Sequence, residues 1–78
     1  MKTMTCKQLG GACDKEFHAN SFDEIAQLSK DHGYEMFQKG ERAHLRAMNE
    51  MQKLMRSPDD MKKWFDRKRK EFDSLPED

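Results

Sequence analysis

Thr5-Cys6-Lys7-Gln8-Leu9-Gly10-Gly11-Ala12-Cys13 is the most informative segment of the chain, two cysteines set around a glycine pair. Thr3, Thr5 and Cys6 favour an extended chain, Gly10-Gly11 marks a turn, and Phe17 and His18 lie on the returning strand, so residues 2–19 are expected to form a β-hairpin. The register of that hairpin matters for chemistry. A turn centred on Leu9-Gly10 sets Cys6 opposite Cys13, whereas one centred on Gly10-Gly11 offsets them and points their thiols to opposite faces. The sequence leaves both registers open.

Downstream of the hairpin the hydrophobic period changes to that of helices. Ser21 followed three residues later by Glu24 is a capping-box start. Ile25, Leu28, Ser29, His32 and Met36 then share one face of a first helix over 21–39, with Phe22 and Phe37 near its edges. Gly33 costs that helix about 1 kcal/mol relative to Ala. Met36 and Phe37 nevertheless keep the phase, and Gly40 is the better stop. A second helix is expected over 41–56, where His44, Met48, Met51 and Met55 form a heptad-like stripe flanked by Leu45, Ala47 and Leu54. A third spans 58–74: Ser57 is the cap, Pro58 takes the first position, and Asp59-Asp60 complement the helix dipole. Its apolar face comprises Met61, Trp64, Phe65 and Phe72, completed by the stem of Lys68. The expected architecture is an α+β single domain over 1–78, an N-terminal hairpin packed on two to three helices.

Composition narrows the function classes. Hydrophobic residues are 35% and charged residues 38% of the 78, so the core is thin. A chain of this size buries only roughly 60% of its unfolded surface, and such domains often rely on a metal, a disulfide or a partner. Fifteen basic and fifteen acidic residues cancel, which argues against a dedicated nucleic-acid or membrane-surface protein. No apolar run approaches the roughly 20 residues of a membrane span, and Met1-Lys2-Thr3-Met4-Thr5 does not start a signal peptide. The expected location is cytoplasmic, where thiols stay reduced, so Cys6 and Cys13 are free thiols or metal ligands rather than a disulfide.

Thiols and imidazoles are ligands of borderline metals. Six residues separate Cys6 from Cys13, a wider gap than the usual zinc knuckle. His32 lies on the apolar face of the first helix and His44 on the buried stripe of the second. Two thiolates from the hairpin and one imidazole from each helix would make a tetrahedral Cys₂His₂ site tying three elements together, with zinc the first choice of metal. His18, close to Cys13 in sequence, competes with His44 for the fourth place. A closed set of four ligands has no open position for chemistry, no phosphate loop or His-Glu-x-x-His occurs, and the chain does not read as an enzyme.

Other features have structural readings. Seven methionines include a helical stripe, and its spacing suits core packing better than a soft-metal site or a partner groove. Residues 61–70 carry six basic residues against one acidic, interleaved with Trp64 and Phe65. This pattern can contact nucleic acid, but the aromatics fall on the apolar face, and a solvated helix surface is the simpler reading. The alternative to a metal protein is therefore a metal-free helical module that binds a protein partner or a second copy of itself.

Lys2-Thr3-Met4-Thr5-Cys6, Leu9-Gly10-Gly11, Cys13-Asp14 and Ser21-Phe22-Asp23-Glu24-Ile25 followed by His32-Gly33 resemble a family of short, mostly bacterial proteins. That family is described as predicted small metal-binding proteins, a domain of unknown function. The resemblance covers about residues 1–40 and implies Cys6, Cys13 and His32 as metal ligands. Many relatives carry a histidine pair at the helix end where only His32 stands here, and the helices beyond residue 41 extend past the usual family core. His44 from that extension is our own candidate for the missing imidazole.

Overall fold

A computed structural model describes residues 1–78. Two antiparallel strands, β1 (Lys2–Thr5) and β2 (Glu16–Ala19), are followed by α1 (Phe22–Lys39), α2 (Arg42–Leu54) and α3 (Pro58–Ser74). The arrangement is α+β, as expected. Lys2 pairs with Ala19, Thr3 with His18, Met4 with Phe17 and Thr5 with Glu16. Alternation along the ladder turns Met4, Phe17 and Ala19 to the core and His18 to solvent.

The pairing does not continue to a tight turn at the glycines. Past Thr5 the Cys6 N–H still donates to the Lys15 carbonyl at 2.8 Å, but Lys7–Leu9 then coils into one 3₁₀ turn. Gly10 closes that turn at φ 91°, in the left-handed region open to glycine. Cys6 and Cys13 therefore lie on a looped segment rather than on facing strand positions, and neither anticipated register describes them.

α1 starts where the capping box predicts. Ser21 Oγ accepts from the Glu24 N–H at 3.3 Å and donates to the Glu24 carboxylate at 3.1 Å. The helix runs unbroken through Gly33 and ends at Gly40, whose φ is 68°. α2 starts one residue later than the periodicity suggested, because Glu41 is its cap: the carboxylate accepts from the N–H groups of Ala43 and His44 at 3.1 and 2.8 Å. α3 is capped by Ser57, which accepts from the Asp60 N–H, and has Pro58 in its first turn.

The core lies between the hairpin, the first half of α1 and the end of α3. Met4, Cys6, Leu9, Phe17, Ala19, Phe22, Ile25 and Phe72 form one cluster. Fully burying side chains such as Phe22 or Ile25 contributes roughly 1.5–3 kcal/mol each. Phe22 and Phe72 meet edge to face with ring centroids 6.1 Å apart. Lys2 Nζ reaches the last carbonyls of α3, Phe72 and Asp73, at 3.2 and 2.9 Å, tying that helix to β1. No residue of α2 belongs to this core. The only buried residue of α2 is His44.

Several residues assigned to apolar faces are exposed: Leu28, Phe37, Leu54 and Met61. The cause is shape. The molecule measures 33 × 28 × 15 Å along its principal axes, so its thickness admits only two layers, and the outer part of each helix lacks a covering element. No helix is long and apolar enough to cross a membrane.

Candidate metal centre

Each candidate donor is placed by a distinct local feature. Cys6 follows β1 and caps the 3₁₀ turn, and is only 4% exposed. Gly11 folds back over it: its N–H donates to the Cys6 carbonyl at 2.8 Å, and a Cβ there would lie 2.1 Å from Cys6 Sγ. Only glycine leaves room for that sulfur. Cys13 follows on the returning loop, half-buried, its carbonyl accepting from the Lys7 N–H at 3.1 Å. His32 sits seven residues beyond Ile25, two turns along the same face of α1, with its ring edge-to-face with Phe17 at 5.7 Å. His44 lies in the first turn of α2 and faces inward.

These four residues converge. One donor atom from each of Cys6, Cys13, His32 and His44 lies within 4.8 Å of all the others. Cys13 Sγ is 3.3 Å from His32 Nε2, and Cys6 Sγ is 3.6 Å from His44 Nε2. The two imidazole rings stand nearly perpendicular, 81° apart with centroids separated by 5.2 Å. Tetrahedral zinc, bonded at about 2.3 Å to sulfur and about 2.0–2.1 Å to nitrogen, holds neighbouring sulfur and nitrogen donors roughly 3.5 Å apart. The observed spacings bracket that value. A thiol–imidazole hydrogen bond would explain either pair alone, but not the meeting of both pairs at one point.

The outer nitrogens differ. His44 Nδ1 bonds to the Glu41 carboxylate, which fixes the ring and turns Nε2 toward the sulfurs. His32 Nδ1 is buried with no hydrogen-bond partner, so nothing on that side anchors its ring except packing. Glu41 was not among the residues singled out from the sequence. Its signal was present: a carboxylate three residues before a histidine at a helix start stands beside it on the same face.

The charge states follow from these neighbours. Burial pushes the Cys6 thiol up, outweighing its backbone hydrogen bonds. At Cys13 burial acts in the same sense but is overcome by the hydrogen bonds from Lys15, His44 and Cys6, and its thiol is lowered. Burial works against a charged His44, yet Glu41 and Cys13 more than compensate and raise it. Burial, then the nearby His44 charge, lowers His32. Cys13 and His44 are thus each shifted toward their charged forms, with the Glu41 carboxylate behind the imidazole.

His18, the competing fourth candidate, points away. It is exposed on β2, with Nδ1 bonded to Thr3 Oγ1 at 2.8 Å and 3.5 Å from Asp78. The structure brings Cys6, Cys13, His32 and His44 together and leaves His18 on the opposite face of the hairpin. The cluster is compatible with a metal site. No family model, curated protein or solved structure matches this chain.

Proposed function

We propose that this protein binds one zinc ion through Cys6, Cys13, His32 and His44, and that the ion is structural rather than catalytic. The observation that carries this reading is the convergence of two thiols and two imidazole nitrogens from the cysteine loop, α1 and α2 within 4.8 Å. Two sulfur and two nitrogen donors suit zinc, and four protein ligands fill its tetrahedron, leaving no position for substrate. The resemblance of residues 1–40 to small metal-binding proteins points the same way.

The role of the ion follows from the packing of α2. This helix contributes nothing to the hydrophobic cluster, and His44 is its one buried side chain. A metal bridging His44 to His32 and the cysteine loop would be the main tie between α2 and the rest of the chain. Structural zinc contributes on the order of 10 kcal/mol of apparent free energy in small peptides, enough to dominate a core this thin.

Cobalt(II) titration of the reduced, metal-free protein tests the reading. The expected result is a one-to-one endpoint with thiolate charge-transfer and tetrahedral d–d absorption, both abolished by zinc. Absence of a thiolate band at saturating cobalt would overturn it. A metal-free interaction module remains the second reading. Its support is an apolar groove of ≈ 350 Å³ lined by Leu9, Phe22, Met51, Met55, Trp64 and Phe65. Melting that depends on protein concentration but not on chelator would favour that module.

A further inference from the structure

We infer that Cys13 is a site of oxidation by hydroperoxides and Cys6 its resolving thiol, so that a Cys6–Cys13 disulfide dismantles the donor cluster and undocks α2. The link to metal release rests on the zinc reading above. The disulfide itself rests only on the chain's geometry.

Three observations carry it. The two sulfurs lie within 4.8 Å, and both cysteines are free. Their backbones are clasped by the bonds from Lys7 N–H to the Cys13 carbonyl and from Cys6 N–H to the Lys15 carbonyl, at 3.1 and 2.8 Å. Bond formation therefore needs side-chain rotation and a small loop adjustment, not a rearrangement of elements. Finally, access is unequal: Cys6 is 4% exposed while Cys13 is only half-buried. A small peroxide reaches Cys13 first.

The chemistry balances without further reactants. Cys13 thiolate attacks one peroxide oxygen; the O–O bond breaks, giving Cys13 sulfenic acid and hydroxide (alkoxide for an organic peroxide). Cys6 thiolate then attacks the Cys13 sulfur and displaces hydroxide, forming the disulfide. Two thiolates lose two electrons in all, and the peroxide gains them. Two histidines are then the only donors left. α2, whose only buried side chain is His44, loses its main tie to the hairpin and α1 and keeps only the part-exposed packing of Met48 and Met51.

The test uses the zinc-loaded, reduced protein and a few equivalents of hydrogen peroxide. The expected product is lighter by two hydrogen atoms and contains a mapped Cys6–Cys13 peptide. One zinc is released per disulfide, as read by a chromogenic chelator. Trypsin cleavage at Arg46 and Lys53, both exposed on α2, should accelerate by at least about tenfold as local opening becomes easier. A dithiol reductant with added zinc should reverse all of it. In Cys6→Ser, Cys13 should stop at the sulfenic acid and be trapped by a dimedone probe.

Because that variant could fold poorly, the metal-free wild type is treated in parallel and should form the same intrachain disulfide. Unreacted thiols, sulfinic acid without disulfide, interchain dimers, or a disulfide that leaves α2 equally protected would each overturn the inference. A chain that takes up no zinc yet forms the disulfide would overturn the zinc reading and the undocking step while leaving the thiol pair assigned. A chain that holds zinc but forms no disulfide would overturn the inference alone.

Discussion

Replacing Gly11 by alanine attacks the centre without touching a donor atom. The added Cβ would stand 2.1 Å from Cys6 Sγ and 3.1 Å from the Cys6 carbonyl oxygen. Since non-bonded heavy atoms settle at about 3.5–4.0 Å, the sulfur must retreat by roughly 1.4 Å or more. The carbonyl behind it belongs to the backbone and cannot yield. Metal–ligand distances tolerate only about 0.2 Å, so the displaced thiolate leaves the coordination sphere or drags the loop with it. Removing a group that only orients a ligand typically weakens metal binding by about 10–100-fold, and loss of a ligand position should exceed that range. Overpacking alone should lower the metal-free stability by about 1–3 kcal/mol. Competition between the protein and a chromophoric chelator gives the affinity, and urea unfolding of the metal-free chain gives the stability. Wild-type zinc affinity in Gly11→Ala, with an unchanged unfolding midpoint, would show that Gly11 does not hold the Cys6 thiol in place.

Other perturbations separate the parts of the site. Glu41→Gln keeps the shape of the cap but removes the charge behind His44, and zinc affinity should fall by about 10–100-fold in the same competition assay. His18→Ala should bind zinc as the wild type does, whereas His32→Ala should lose the one-to-one cobalt endpoint; equal behaviour of the two would contradict the assignment. Lowering pH should weaken zinc binding, because Cys6 is shifted toward the protonated thiol and His44 toward the imidazolium, and both protons must leave when metal binds. Adding zinc in weak buffer should accordingly acidify the solution, and a flat pH trace would count against thiolate ligation. Phe72→Ala, in the hydrophobic cluster, should cost about 3–5 kcal/mol in thermal or urea unfolding.

The hairpin, the capping boxes and the stop at Gly40 could be read from local rules because side chains close in sequence determine them. Ser21 with Glu24, Ser57 with Pro58, and Gly40 act on their own neighbours. The cysteine loop could not be read that way. Strand propensity and a glycine pair suggest a tight hairpin, but a 3₁₀ turn at Lys7–Leu9 interrupts the ladder. The two thiols then converge by a route neither strand register describes. Periodicity placed His32 and His44 on inward faces, yet only the packing of α2 against α1 separates His44 from His18 as a member of the cluster. Leu28 and Phe37 illustrate the opposite limit. They keep the helical phase of a buried face, but a molecule 15 Å thick has nothing to place over them.

Native mass spectrometry with elemental analysis, run with a thermal melt before and after chelator, tests the zinc assignment most directly. The prediction is one zinc per chain bound with both thiols reduced, lost together with the melting transition when chelator is added and restored by stoichiometric zinc. A reduced, metal-free chain whose melting temperature does not respond to added zinc would contradict it.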